Sequence, residues 1–185
     1  MNYKVLDKND YKSNGYELLP YRQEDMLLIM GWRNDQMDFL RQNKLLTAED
    51  QEKYFRDVIE PSIGDESTRI ILFSFLKDGK CIGYGGLTNI DWESKRAEVS
   101  FLLETNRGKE EAVYREDFSV FLDLLKEVVF LDLNFHRLFT ETYDIRPLHI
   151  KVLESNGFKL EGRMEDHTII TGKYVDSLIH GIVNN

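Results

Sequence analysis

The chain has 185 residues, 42% hydrophobic and 12% aromatic, which places it among folded globular proteins with a single core of useful size. Its 24 basic against 33 acidic residues leave a formal charge of −9. That balance argues against nucleic acid as the main partner, because phosphate-backbone binding needs a basic footprint.

In chain order, residues 1–14 are polar and read as an extension or an extra edge strand. Tyr16 to Tyr21 is a short strand, and Asp25 is placed to cap a helix through Gly31 whose apolar residues are Met26, Leu27, Ile29 and Met30. Thr47 followed by Asp50 predicts a capping box for a second helix carrying Tyr54, Phe55, Val58 and Ile59, which Pro61 ends. Arg69–Leu76 and Cys81–Ile90 are strands joined by Lys77-Asp78-Gly79-Lys80, since Asp-Gly between apolar runs signals a tight hairpin. A turn at Trp92-Glu93-Ser94-Lys95 leads into a central strand, Ala97 to Leu103.

A charged connection, Glu104 to Glu111, then feeds a helix with Phe118, Phe121, Leu122, Leu125, Val128 and Val129 at helical spacing. Arg137–Tyr143 is a strand. Pro147 opens a helix that stops at Asn156-Gly157, and Phe158–Ile170 with Tyr174–Val183 makes a hairpin around Thr171-Gly172-Lys173. This order predicts one mixed α/β (α+β) domain over residues 1–185 rather than a strictly alternating doubly wound sheet. The junction after Leu103 is where a cofactor is expected, because a strand feeding a helix N-terminus aims amides and the helix dipole at an anion.

Cys81, the one cysteine, cannot form an internal disulfide; it lies in an apolar run and reads as a buried structural thiol in a reducing cytoplasm. No apolar run nears bilayer length, and Met1-Asn2-Tyr3-Lys4 lacks the plan of a secretory signal, so a soluble, cytoplasmic protein without membrane contact is expected. The histidines and carboxylates show no metal-ligand spacing, and no metal is expected.

Several strings, in order, resemble the GNAT superfamily of N-acetyltransferases. They are Trp32-Arg33-Asn34-Asp35, Ile82-Gly83-Tyr84-Gly85-Gly86-Leu87, Arg96-Ala97-Glu98-Val99-Ser100-Phe101, Leu133 to Leu138, Leu153 to Gly162, and Gly172 to Ser177. The likeness spans residues 16–183 and is nearest to the branch of ribosomal-protein N-terminal and bacterial amino-sugar acetyltransferases. It implies a central, mostly antiparallel sheet that splays between its fourth and fifth strands, with helices on both faces. It also implies acetyl-CoA as co-substrate, with the pantetheine in the splay against the backbone of Val99, Ser100, Phe101, Leu102 and Leu103. A backbone amide there would polarise the thioester carbonyl.

One departure stands out. The family's pyrophosphate loop reads Arg or Gln, two residues, Gly, one residue, then Gly or Ala. Here the in-place match is Arg107-Gly108-Lys109-Glu110-Glu111-Ala112, with Glu110 where the first glycine belongs. Counting back from Phe130 instead puts Val113 to Phe118 at the loop, which has no glycine; on either placement the connection reads about six residues longer than usual. Glu110, Glu111, Glu116 and Asp117 complement a helix start but repel a pyrophosphate, which Arg107, Lys109 and Arg115 offset.

Amine acetylation needs a group that takes the ammonium's proton and a proton for the leaving thiolate. The resemblance makes Glu98 the first candidate base; the alternative is a surface pair with Arg96 or Lys95. Counting back from Gly157-Phe158, Arg146 and His149 stand where the family carries polar side chains beside the pantetheine. His149 is then a base, an acid or a hydrogen-bond donor, or a structural histidine, and Arg146 touches a CoA phosphate or the substrate, or caps its own loop. The resemblance also puts Asp166-His167 near the acceptor, where a hydrogen-bonded pair makes His167 a usable base. Trp32, Tyr84 and Trp92 are flat surfaces for a sugar ring, or core. The expected acceptor is a small-molecule amine, an amino sugar, free or nucleotide-linked; a peptide N-terminus is the alternative, and a catalytically silent GNAT-fold binding module is the non-enzymatic reading. The protein is expected to be a monomer or a homodimer.

Overall fold

Residues 1–184 are described by the computed structural model, in which strands β1 (Tyr11–Ser13) and β2 (Tyr16–Pro20) precede the helices α1 (Met26–Asp35), α2 (Ala48–Tyr54) and α3 (Glu60–Gly64). Strands β3 (Ile71–Lys77), β4 (Lys80–Asp91) and β5 (Arg96–Leu103) follow, then helix α4 (Glu111–Lys126). The chain closes with β6 (Arg137–Tyr143), α5 (Pro147–Ser155), β7 (Lys159–Ile170) and β8 (Lys173–Val183). The eight strands form one sheet in the order β1-β2-β3-β4-β5-β6-β8-β7. Every pairing is antiparallel except β5 with β6.

The β5–β6 pairing decides the architecture. It holds only over Arg96–Arg137, Ala97–Leu138 and Glu98–Phe139, after which the two strands part. With β1 added at the edge, this is the splay expected between the fourth and fifth strands. Helices cover both faces. α4 and α5 pack Phe118, Phe121, Leu125, Val152 and Leu153 on one side, and α1 and the turn that follows α2 set Ile29, Trp32 and Phe55 against Leu72, Tyr84 and Leu102 on the other.

Local chemistry explains most boundaries. Thr47 and Asp50 form the expected capping box at α2. Asp78 and Gly79 take φ of 50° and 76°, the left-handed pair a two-residue hairpin needs. Pro147 opens α5, and Gly157 at φ 92° follows its end.

Three expectations change. Asp25 does not cap α1: its buried carboxylate takes Arg22 Nε at 2.7 Å and Nη2 at 2.8 Å. Pro61 does not end the second helical stretch; Phe55–Ile59 widens into a π turn, and α3 continues with Pro61 in its first turn, where a missing N–H costs no bond. Val113 to Phe118 is not the loop but lies inside α4, so the connection is Glu104–Glu110, only seven residues. The segment ahead of β2 is tied into the core. Tyr3 is 1% exposed, and its hydroxyl donates to Leu72 O at 2.9 Å and accepts from Leu72 N at 2.8 Å.

Candidate active site

Where β5 and β6 part, a cavity of about 290 Å³ opens. Its lining includes Glu98, Val99, Ser100 and Phe101 from β5, Thr140 to Tyr143 from β6, and Arg146 and His149 from α5. Arg33, Arg41, Thr88 and Asn89 reach it from the other side. The β5 backbone shows why the gap is polar. Glu104 N turns to Ile82 O on β4, whereas Lys95 O accepts from Arg137 N on β6, so alternate residues face the two neighbours. Past the last pair, Glu98–Phe139, the groups facing β6 lack a strand partner, the Val99 C=O and Phe101 N–H among them.

Glu98 sits at this fork, 6% exposed. Asn89 Nδ2 donates to its Oε2 at 2.6 Å and Arg41 Nη2 to its Oε1 at 3.1 Å. The same Arg41 nitrogen donates to Glu141 Oε2 at 2.7 Å, and His167 Nε2 lies 3.5 Å from Glu141 Oε1. Burial pulls the Arg41 guanidinium down, but the Glu98 and Glu141 carboxylates more than offset this and hold it charged. Glu98 therefore pairs with neither Arg96 nor Lys95; Arg96 is on Asp91. Asp166 and His167 make no pair: the Asp166 amide donates to Asp176 Oδ1, and the carboxylate beside His167 is that of Glu141.

A second cluster closes the α5 side. The ring of His149 stacks on Phe118 with centroids 4.4 Å apart, and its Nδ1 is 2.6 Å from Tyr114 Oη. Arg146 Nη2 donates to Tyr114 Oη at 3.1 Å. Of the two partners of the buried phenol, Arg146 can only donate, so we assign the tyrosine's proton to His149 Nδ1 and the ring proton to Nε2. Burial, with Arg146 and His180 adding to it, pushes the His149 pKa well below its ordinary value, so the ring is neutral. Burial likewise raises the Tyr114 phenol, partly countered by Arg146.

The loop before α4 departs from a simple phosphate cradle. Glu104 Oε1 and Oε2 accept from the amides of Asn106 and Arg107, both at 3.1 Å. Gly108 N is bound to Glu104 O. Arg107 faces inward onto buried Asp117. Lys109 lines a separate cavity with Trp32, Asp35 and Glu104. Arg115 is paired with Glu111 at 2.6 Å. The opening amides of α4, at Glu111, Ala112 and Val113, have no side-chain cap and remain available to an anion. Leu102 turns its side chain to the α1–α2 face, and Leu103 O takes Gln36 Nε2 at 2.9 Å. Trp92 packs edge-on against Phe135 and does not line the fork cavity.

Asn89, Arg41, Glu141 and Tyr114 were not legible as site residues. Arg41 and Glu141 reach Glu98 only through tertiary packing. Tyr114, one helical turn before Phe118, reads as core. Among the described residues no three His, Cys, Asp or Glu side chains converge on a metal position, and no helix is long and apolar enough to cross a membrane.

The fold has counterparts among known proteins. The chain aligns over 96% of its length with 98% of ribosomal-protein-S5-alanine acetyltransferase from Vibrio fischeri, at 18% identity and TM-score 0.75. It aligns over 92% with 96% of spermidine N-acetyltransferase from Vibrio cholerae, in complex with CoA and spermine, at 18% identity and TM-score 0.77. Over 91% it matches 81% of Mycobacterium smegmatis RimJ in complex with CoA-disulfide, at 15% identity and TM-score 0.75. No curated protein matches the sequence. The family model for the acetyltransferase (GNAT) domain matches residues 20–179, most of the chain and every element of the fork, and the chain belongs to that family.

Proposed function

We propose that this acetyl-CoA-dependent N-acetyltransferase acetylates the primary amine of a small acceptor, an amino sugar that also carries an anionic group, with Glu98 as the base. The observation that carries this reading is the position of Glu98. Its carboxylate is buried at the fork, oriented by Asn89 and Arg41, beside the unpaired backbone of Val99 and Phe101.

The division of labour follows from the chemistry. The free β5 edge offers hydrogen bonds to a pantetheine arm, as the opening amides of α4 do to its pyrophosphate. Phe101 N–H is the free donor nearest the fork and suits the thioester carbonyl, whose oxygen gains charge as the amine attacks. Glu98 takes the proton from the ammonium, directly or through one water, before attack. His149, neutral and with its proton on Nε2, donates a hydrogen bond toward the thiolate as the C–S bond breaks.

Charge narrows the acceptor. Arg33, Arg41 and Arg146 line the cavity with Glu98 and Glu141, so an ammonium group meets carboxylates while an anion meets guanidinium groups. That balance suits a zwitterionic acceptor better than a polyamine. The test is CoA release from acetyl-CoA with glucosamine 6-phosphate, spermidine and an alanine-terminated peptide as acceptors. The reading expects the amino sugar to give the highest kcat/KM. A preference for the peptide or for spermidine overturns it.

A further inference from the structure

On the same sheet face as Glu98, a second cavity of about 320 Å³ lies between β4 and the helices α1 and α2. Three tyrosines form its walls, Tyr21, Tyr54 and Tyr84, with Leu46, Asp50 and Gln51 beside them. Arg33 lines both this cavity and the one at the fork. Its Nη1 donates to the Tyr84 hydroxyl and its Nε to Gln42 Oε1 at 3.0 Å, so the guanidinium is fixed where the two spaces meet. Tyr21 and Tyr84 stand edge to face, centroids 6.0 Å apart at 90°, and Gln51 Nε2 donates to Tyr21 Oη at 3.2 Å. Tyr54 at the rim is 38% exposed, unlike its two buried neighbours.

The spacing fits an extended ligand. Tyr84 is opposite Leu102 in the β4–β5 register, and Leu102 lies four residues along β5 from Glu98 on the same face. At about 3.3 Å per residue and about 4.8 Å between strands, the tyrosine cavity and the base are roughly 14 Å apart. Arg33 lines both cavities, and Arg41 stands at the Glu98 end, bonded to Glu98 and Glu141. An aromatic-walled cavity, a guanidinium where the two spaces meet, and a carboxylate with its own arginine, in that order, match a planar ring, a phosphate bridge and an amine.

We infer that the tyrosine cavity is the base subsite of the acceptor, which makes the acceptor a nucleoside-diphosphate-linked amino sugar. The inference rests on the amino-sugar reading above. The ring of the base packs on Tyr54 and Tyr84, the diphosphate lies along Arg33 and Arg41, and the sugar amine reaches Glu98.

Calorimetric titration with uridine 5′-diphosphate tests it, the protein first saturated with CoA so that the co-substrate's own nucleotide site is blocked. Uridine diphosphate should bind at least about tenfold more tightly than inorganic pyrophosphate, and Tyr54→Ala should remove about tenfold while Tyr54→Phe keeps most of it, the size of one base–aromatic stack. Thermal unfolding of both variants checks that they are folded. Pyrophosphate binding as tightly as uridine diphosphate, or Tyr54→Ala leaving uridine diphosphate affinity unchanged, overturns the base subsite. If that happens while glucosamine 6-phosphate is still acetylated, the amino-sugar reading stands alone; if no amino sugar is acetylated, free or nucleotide-linked, that reading has failed first.

Discussion

Arg107 grips Asp117 through two hydrogen bonds, Nε to Oδ2 at 2.7 Å and Nη2 to Oδ1 at 2.9 Å, and the carboxylate is fully buried. Tyr16 Oη adds a third at 2.8 Å. The basic residue that opens the loop motif is therefore spent on fixing the loop to α4. Removing one partner of a buried ion pair leaves an uncompensated charge, so Arg107→Ala should cost about 3 kcal/mol in urea unfolding. Arg107→Ala combined with Asp117→Asn should recover part of that loss. A loss confined to CoA affinity, with stability intact, would place Arg107 on the phosphate instead.

Gly85 supplies a second stability test. A Cβ there would lie 2.2 Å from Ser100 O, 2.8 Å from Phe121 Cζ and 2.9 Å from Phe101 Cα. Two of these are backbone atoms of β5, which cannot rotate away. Gly85→Ala should cost about 3 kcal/mol and displace the strand that carries the free Phe101 N–H. Unfolding midpoints and acetyl-CoA affinity should fall together.

His149 sets a pH dependence. The ordinary histidine value is near 6.5, and the buried ring titrates well below it. Below pH 6.5 the unfolded chain takes up a proton that the folded chain refuses, so this part of stability is full above 6.5 and is lost as pH falls toward the folded value. The slope should approach about 1.4 kcal/mol per pH unit, and His149→Gln should flatten it. Asp50, held down to about 2 chiefly by the Thr47 amide and then by Lys44, loses its contribution only as pH falls from 3.8 toward 2, a separate window. Urea unfolding at a series of pH values separates them.

Glu98→Gln keeps the size of the side chain and its bond to Arg41 while removing the proposed base. It should lower kcat/KM by about 10²- to 10⁴-fold with little change in acetyl-CoA affinity. Asn89→Ala, which frees one carboxylate oxygen, should cost less. Equal activity of Glu98→Gln and the native chain would remove Glu98 from the mechanism.

Local chemistry made much of the fold legible. The Thr47–Asp50 box, the Asp78-Gly79 turn, Pro147 at a helix start and Gly157 past its end each act within a few residues. The ordered strings around Gly83, Glu98 and Gly157 carried the family. What stayed hidden was non-local. Pro61 reads as a stop because a preceding π turn leaves no periodic mark. Asp25 resembles a cap, yet its burial lets Arg22 claim it. Glu98 could be named, but the contacts that orient it come from Arg41 and Asn89, and Arg41 is itself shared with Glu141 across 100 residues of chain.

If the β5–β6 fork holds acetyl-CoA although Glu104 occupies two loop amides and position 110 carries no glycine, calorimetry will show it. Titration with acetyl-CoA, with CoA and 3′-dephospho-CoA alongside, should give micromolar binding, on the order of −8 kcal/mol. No detectable binding would contradict it and leave the fork without its co-substrate.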